Sequence, residues 1–299
     1  MILSIIIATY NRADSMIVSL SSVVSQSAAT ELWECIVVNN NSTDNTAERF
    51  AAFAAAHPSV NMRMVCETKQ GLSNARNCGI AEAKGEIVVF VDDDETLEST
   101  LVESYIAFFR DHDQVLAAGG GVIPHYQSCR PEWMNSFTEQ MIANPVDLGA
   151  EAVPFPKSRV PAGGNMAFRR EIFDKVGRFN PKLGRNGQSL MGGEENDLFA
   201  RIRRQSNAPI YFVPKAAIYH HIPESKLTEE YIRQLSHNVG RSKRLRAEAD
   251  NAVAKLLIME SCKQVATYAI AAAYLLSGHK AKAKSLLTMR NNIFKGVIK

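Results

Sequence analysis

The sequence EIVVFVDDDE at residues 86–95 is an apolar run that leads directly into four acids. A short run without alternating polar residues is typical of a strand that is buried on both faces of a parallel sheet. Four consecutive carboxylates exceed what a helix cap needs, and they repel one another unless a cation or a donor array neutralises them. The stretch therefore predicts a buried strand that ends in a ligand site.

The same order of apolar run, polar cluster and helical stretch occurs twice earlier in the chain. Residues 2–8 lead into Thr9 and Tyr10, and residues 36–38 lead into Asn39. This βαβ rhythm predicts an α/β fold with a Rossmann-like, mostly parallel sheet and flanking helices. A further helix is predicted after Gly71, with Gly85 at its C′ position.

Open α/β sheets bind ligands beyond the carboxyl ends of their strands. The sequence therefore predicts a site at Thr9, Asn39 and Asp92 to Asp94. Taken singly, each cluster is equally typical of an ordinary helix cap or turn. The acidic triplet favours a site, because alternation along a strand would direct Asp92 and Asp94 to one side, where they could hold Mg²⁺ or Mn²⁺.

Other phosphate-binding patterns are missing from the sequence. Nothing matches a P-loop, and no G-x-G-x-x-G follows the first apolar run. We therefore expect a nucleoside diphosphate to be held mainly by a metal ion and by polar side chains.

Six segments in order resemble the successive motifs of inverting family-two glycosyltransferases with the GT-A fold. They are ATYNR at 8–12, IVVNNNSTD at 36–44, GLSNARN at 71–77, VDDD at 91–94, GGNMAFRR at 163–170 and GGEENDL at 192–198. The resemblance covers residue 1 to about residue 221. It implies a GT-A domain at 1–222, with a nucleotide-binding half at about 1–118 and an acceptor half at about 119–222.

The resemblance also implies roles on the donor side. Thr9, Tyr10 and Asn39 would contact the nucleotide, with UDP favoured, and Asp92 or Asp93 would hold the ribose. Asp94, with Asp92, would bind the metal ion that bridges the diphosphate. Asn39 departs from the family, where an acid is usual, and an amide donates as well as accepts a hydrogen bond.

On the acceptor side, the resemblance maps the general base to Glu195. Glu194 would bind substrate or cap the predicted helix, since acids in a first turn interact favourably with the helix dipole. Gly164 and Asn165 would approach the donor sugar, with a tight turn as the alternative. Two more side chains are expected to contribute: Trp133, by stacking on a sugar ring or by packing its own loop, and His220, in preference to His221, by joining the metal site.

The remainder of the chain, residues 223–299, is helical in pattern and basic. Basic residues beside apolar faces favour peripheral contact with an anionic inner membrane leaflet, and a solvated appendage or a dimer contact fits equally. A net charge of +3 does not favour nucleic acid as a partner. Five cysteines without C-x-x-C spacing, and an amino terminus without signal-peptide features, favour a cytoplasmic protein.

The expected activity is metal-dependent transfer of a sugar from a nucleoside diphosphate sugar to an acceptor hydroxyl, in cell-surface glycan or polysaccharide synthesis. One sugar per encounter is favoured, because the sequence has neither membrane spans nor a Q-x-x-R-W motif. The alternatives are a sugar-nucleotide pyrophosphorylase, whose Gly-rich basic loop is missing, and a non-catalytic glycan-binding module, which would not need the acids.

Overall fold

The computed structural model describes residues 1–187, 190–206 and 208–298. The strands are β1 (Leu3–Thr9), β2 (Trp33–Asn39), β3 (Met62–Cys66), β4 (Ile87–Asp92), β5 (Glu95–Leu97), β6 (Ala117–Tyr126), β7 (Val153–Pro154), β8 (Met166–Arg169) and β9 (Tyr211–Ile222). The helices are α1 (Ala13–Val23), α2 (Thr46–Ala56), α3 (Leu72–Glu82), α4 (Leu101–Asp111), α5 (Ser136–Ile142), α6 (Ile172–Val176), α7 (Glu194–Ser206), α8 (Glu229–Ala249), α9 (Val253–Leu276) and α10 (Lys280–Ile298).

The described residues form two compact units. The first unit comprises residues 1–123, 146–182 and 194–221, and the second comprises 124–145, 183–193 and 222–299. The first unit therefore contains all three predicted strand-end clusters.

The strands form a sheet in the order β3-β2-β1-β4-β8-β6-β9-β5, with β7 paired to β9. The first four strands of this order are parallel, as the βαβ rhythm predicts, and β8 continues the sheet antiparallel to β4. The sheet is therefore mixed rather than parallel throughout. Strands β2 and β3 are added on one side of β1, and β4 is added on its other side. The order of the strands therefore switches between β1 and β4, which is where such sheets open a ligand crevice.

The core of the first unit explains why the apolar runs become strands. Residues 87–91 of β4 are all buried, as are residues 3–7 of β1 and the whole of β2. The Phe90 ring makes edge-on contacts with Phe168, Phe173 and Phe179, at centroid distances of 5.9, 6.3 and 5.2 Å. Such aromatic pairs add to the stabilisation from burial alone, so the strand that ends in the acidic cluster is firmly held.

The prediction that Gly85 ends helix α3 at its C′ position is wrong. The helix ends at Glu82 and is capped by Ala83, and Gly85 does not have a positive φ. Gly85 instead lies against β1: a Cβ at this position would be 2.6 Å from the carbonyl carbon of Leu3 and 2.6 Å from the amide nitrogen of Ser4. The glycine is therefore required by a close approach of two backbones.

The second unit is built on helices α5, α8, α9 and α10. Its apolar core includes Leu256 of α9 and Met289 and Ile293 of α10. The buried carboxylate of Glu260 accepts hydrogen bonds from Lys243, Lys263 and Arg290. Among the described residues, no helix is both long and apolar enough to cross a membrane.

We predict that Gly85→Ala destabilises the protein, because the added methyl group would meet rigid backbone rather than a side chain that can move. Overpacking of this kind typically costs about 1–3 kcal/mol. Lys84→Ala, at the neighbouring exposed position, is the matched control and should leave stability nearly unchanged. Urea unfolding midpoints measure the effect, and equal midpoints for the two variants would contradict the proposed contact.

Candidate active site

The three predicted polar clusters meet at one edge of the sheet. In the strand register Thr9 lies opposite Asn39, and Ala8 lies opposite Asp92. The carboxyl ends of β1, β2 and β4 are therefore adjacent, at the point where the order of the sheet reverses. This is the expected position of a ligand crevice in an open α/β sheet.

Arg12, which follows β1, holds two of the three aspartates. One of its terminal nitrogens, Nη1, lies 3.0 Å from Asp93 Oδ1 and 3.0 Å from Asp94 Oδ2. The Thr9 hydroxyl donates to the other oxygen of Asp93 at 2.8 Å. Burial raises the pKa of Asp93 to about 6, because the opposing effect of Arg12 is not sufficient and Asp94 adds repulsion.

Arg76, on α3, holds the third aspartate and connects it to α7. Its Nη2 donates to Asp92 Oδ1 at 2.9 Å and to the carbonyl oxygen of Gly163 at 3.0 Å, and its Nη1 donates to Glu194 Oε1 at 2.8 Å. The Arg76 side chain is only 2% exposed. Burial alone would lower its pKa, but the charges of Asp92, Glu194 and Glu195 outweigh burial and raise it. Arg76 is therefore a permanent buried cation between two acidic segments.

The expected alternation of side-chain direction does not continue through Asp92, Asp93 and Asp94. Strand β4 ends at Asp92, and the chain turns over Asp93 and Asp94. As a result Asp93 and Asp94 both contact Arg12, whereas Asp92 contacts Arg76. The period-two rule for side chains holds only within a strand, so the turn and not the strand decides where Asp94 lies.

Glu194 and Glu195 occupy the first turn of α7, as predicted, but their environments differ. Glu194 is 4% exposed, and its Oε2 atom has no hydrogen-bond partner among the described residues. Burial, together with the charge of Glu195, raises the pKa of Glu194 from 4.5 to about 8, despite the ion pair with Arg76. Glu195 is half-buried, and its Oε1 accepts a hydrogen bond from Asn196 Nδ2 at 2.6 Å.

The two neighbouring histidines of β9 have different partners. His220 Nε2 lies 4.0 Å from Asp94 Oδ1, whereas His221 Nε2 lies 3.0 Å from the Thr96 hydroxyl. The structure thus brings His220 to the acidic cluster.

Asp94 and His220 are suited to bind a divalent cation that takes most of its ligands from water and phosphate oxygens. No group of three metal-ligating side chains is found in the described ranges. Mg²⁺ and Mn²⁺ at nucleotide sites need only one or two protein carboxylates, because water and phosphate oxygens complete the shell. The donor set therefore fits a cation that arrives with a diphosphate, and it does not fit a cage formed by the protein alone.

The predicted base-contacting residues line the neighbouring part of this edge. Tyr10 is 37% exposed, whereas Thr9 and Asn39 are almost completely buried. Asn39 Oδ1 accepts a hydrogen bond from the Ser42 amide at 2.9 Å. Its Nδ2 has no partner within the part of the chain that the structure describes, so the amide remains able to donate.

Three other predicted residues have structural partners of their own. The Asn165 amide donates to Gly121 and Ala216 carbonyls and accepts from the Tyr105 hydroxyl. A Cβ on Gly164 would lie 2.1 Å from Glu95 Oε2, so the glycine leaves room for that carboxylate. Trp133 belongs to the second unit, where its side chain packs on the apolar core and its carbonyl accepts from Ser285.

Sequence reasoning missed the two arginines and Glu95. Arg12 and Arg76 lie within motifs that the sequence indicated, but nothing in their spacing shows which acids they contact. Glu95 Oε2 accepts from the Asp92 amide at 3.0 Å, which ties the turn to the end of β4. A buried arginine cannot be recognised until its partners are placed.

The chain matches the family model described as Glycosyl transferase family 2 over residues 4–177. This match covers more than half of the chain. The protein belongs to this family. It is therefore a glycosyltransferase, and the pyrophosphorylase and the non-catalytic module are not supported.

Individual relatives agree with the family. The enzyme is 24% identical over 247 residues to glucosyl-dolichyl phosphate glucuronosyltransferase of Haloferax volcanii, covering 81% of this chain and 76% of that one. It spans only about a third to a half of the length of several other curated relatives that it matches.

Solved structures show the fold. The mannosyltransferase PcManGT of Pyrobaculum calidifontis, solved with GDP-Man and Mn²⁺, superposes with a TM-score of 0.68 at 19% identity, over 99% of this chain and 86% of that one. S. aureus TarS 1-349 with UDP-GlcNAc gives a TM-score of 0.58 at 16% identity, over 98% and 90%. The prediction of a GT-A fold with a helical C-terminal region is confirmed.

We predict that Glu194 makes stability depend on pH. Its pKa in the folded state, about 8, lies above the ordinary 4.5, so between these values the folded protein binds the extra proton. Stability contributed through this group is then present at low pH and is lost as pH rises through that window. The neighbouring charged groups are Arg76, Glu195 and Asp92.

The variant Glu194→Gln removes the titration and keeps the shape. Relative to it, the native protein should lose unfolding free energy as pH rises from about 5 to about 8. Asp197→Asn, which changes an acid paired with Arg201 on the same helix, is the control. A constant difference between native protein and Glu194→Gln across this range, measured by urea unfolding, would show that Glu194 is ionised throughout.

Proposed function

We propose that the enzyme transfers one sugar per encounter, with inversion, from a nucleoside diphosphate sugar to an acceptor hydroxyl, and that it requires Mg²⁺ or Mn²⁺. The transfer of a sugar follows from family membership.

The observation that carries this proposal is the connection made by Arg76. One guanidinium joins Asp92, in the acidic triplet, to Glu194, the residue before the proposed base. An inverting transfer needs a carboxylate on the acceptor side and charge neutralisation on the leaving-group side, held at a fixed separation. Arg76 provides a rigid connection between two such segments.

On the donor side, Asp94 and His220 are the residues that we propose hold the cation, with Asp92 as a further candidate. A bound Mg²⁺ or Mn²⁺ would neutralise negative charge on the departing diphosphate. Asp93 and Asp92 remain the candidates for the ribose hydroxyls. Two neighbours indicate that divalent metal ions are compatible with this fold: PcManGT carries Mn²⁺, as does GalNAc-T7.

On the acceptor side, Glu195 is the proposed general base. A base must reach the incoming hydroxyl and must be ionised when it acts. Glu194 satisfies neither condition well, because it is buried against Arg76 and its pKa is raised to about 8. Glu195 is half-buried in the same helical turn, so its carboxylate is more accessible than that of Glu194. Glu194 then orients the turn, and Glu195 takes the proton.

We propose UDP as the nucleotide, because the resemblance to the family's motifs favours it. GDP is the alternative that the first test compares with it. The Asn39 amide can donate to a carbonyl oxygen of a base, and uracil and guanine both carry one. Solved neighbours include complexes with GDP-Man and with UDP-GlcNAc. The acceptor that we propose is a glycan or lipid-linked glycan of the cell surface, and the name of the Haloferax relative contains one lipid-linked sugar, glucosyl-dolichyl phosphate.

The first functional prediction is that nucleotide binding requires a divalent cation. UDP with Mn²⁺ should raise the unfolding temperature, and UDP with EDTA should not, because a ligand that binds only the folded state stabilises it. GDP tested in parallel identifies the preferred base.

Asp94→Ala should abolish the shift while the protein still folds, since Arg12 keeps Asp93 as a partner. Asp113→Ala, at a side chain that is 86% exposed, is the matched control. An equal shift in EDTA, or an undiminished shift in Asp94→Ala, would exclude this metal site.

The second functional prediction concerns the base. Glu195→Gln keeps the shape of the side chain and removes its basicity, so kcat should fall about 10²–10⁴-fold while donor binding is retained. Asp197→Asn, two residues along the same helix, is the control and should keep most of its activity. Sugar transfer from the preferred donor is measured for both variants. If Asp197→Asn loses its rate and Glu195→Gln keeps it, the base is Asp197.

A further inference from the structure

Helix α9 of the second unit is apolar on two opposite faces. One face packs inward through Leu256, Thr267 and Ala271, all buried, together with the Glu260 carboxylate. The opposite face carries an apolar stripe, which consists of Ile258, Cys262, Val265, Ala269, Ala272 and Leu276, all exposed. These six positions recur at intervals of three and four residues, so they lie along one line of the helix.

The stripe is large and strongly exposed. Ile258, Val265 and Leu276 are 67%, 70% and 92% exposed, and Tyr268 and Leu275 add 55% and 52% beside it. Eighteen residues separate its two ends, which corresponds to about 27 Å of helix. Single exposed apolar residues need no explanation, but a continuous face of this size marks an interaction surface.

The charged residues that follow the middle of the stripe in the sequence are all positive. Residues 261–299 contain seven Lys or Arg and no Asp or Glu. The carboxylate of α9, Glu260, is buried and held by Lys243, Lys263 and Arg290. Lys255, Lys280 and Lys282 have no salt-bridge partner within the described residues, and they flank the two ends of the stripe in the sequence.

The lysines at the start of α10 also lie where their own helix disfavours them. Lys280 and Lys282 are in its first turn, and that turn has no acid. A helix N-terminus carries partial positive charge, so cations there are unfavourable unless an external anion balances them.

We propose that the apolar stripe of α9 docks the enzyme on an anionic membrane surface, lying in the plane of the interface with the flanking lysines at the lipid headgroups. An apolar helical face bordered by cations is the pattern of interfacial helices. A second copy of this chain fits less well, because pairing two stripes would bring lysines together with no exposed acid on α9 or α10 to neutralise them. This inference is independent of the proposed donor, base and acceptor.

Vesicle flotation of the full chain tests the proposal. Binding is expected to phosphatidylcholine vesicles that contain phosphatidylglycerol in equal parts, and not to phosphatidylcholine alone. It should weaken as salt is added, because surface charges are screened over about 10 Å at 0.1 M. Lys280→Gln with Lys282→Gln should weaken binding by roughly fivefold per lysine. Lys157→Gln with Lys182→Gln, at exposed positions of the first unit, should not change it.

The apolar contribution is tested by Val265→Glu with Leu276→Glu, which should lower binding about tenfold or more. These side chains are exposed, so the fold should be unaffected, as circular dichroism will check. The control Val18→Glu changes an exposed valine of α1 that is 50% exposed. Failure of the native protein to bind anionic vesicles, or undiminished binding by the stripe variant, overturns the proposal. A native dimer that the stripe variant converts to a monomer, without vesicle binding, assigns the stripe to a second copy instead.

Discussion

The buried guanidinium of Arg76 is the interaction on which the active site depends. A buried cation is tolerated only when it is paired and hydrogen-bonded, and Arg76 obtains its partners from three different segments of the chain. Its guanidinium carbon also lies 5.9 Å and 5.5 Å from the ring centroids of Phe90 and Phe179. The planar, forked group can contact Asp92 and Glu194 at once, which the single ammonium of a lysine could not do with the same geometry. One side chain therefore bridges the acidic triplet and α7.

Among the residues that the structure describes, the first unit has more carboxylates at this edge than cations to balance them. Asp92, Asp93, Asp94, Glu194 and Glu195 face two guanidiniums, those of Arg12 and Arg76. The raised pKa values of Asp93 and Glu194 are the response of the protein to this excess, since a proton removes part of the repulsion. A divalent cation would relieve the same repulsion, so the proposed metal site and the shifted pKa values would have one physical origin.

The second unit shows the opposite imbalance. There one buried carboxylate, Glu260, is surrounded by three cations, and Lys255, Lys280 and Lys282 have no salt-bridge partner among the described residues. An excess of positive charge beside an apolar face is suited to an anionic surface, whereas an excess of carboxylates at a sheet edge is suited to a metal ion and a nucleotide. The two units thus carry an excess of charge of opposite sign at these two places.

The sequence by itself determined the parallel strands, the acidic cluster at the end of β4, the position of Glu194 and Glu195 in the first turn of α7, and the family. These features depend on periodicity and on the order of motifs, which are local properties of the chain. His220 lies near Asp94 and His221 contacts Thr96, because neighbouring strand residues face opposite ways, and the role of His220 at a metal ion stays a prediction. The assignment of Gly85 as a helix cap was wrong, because only the fold shows that this residue lies against β1.

Only the tertiary structure decided which acids share a cation. Asp93 and Asp94 meet on Arg12 because the chain turns after Asp92, and Asp92 meets Glu194 through Arg76 although they are far apart in the sequence. It also decided that Glu194 is buried and Glu195 is half-buried, since exposure depends on what packs over the helix. In α9, apolar residues occur all around the helix, and no periodicity could tell the packed face from the exposed one. Partners and exposure are set by distant segments, which the sequence specifies only through the complete fold.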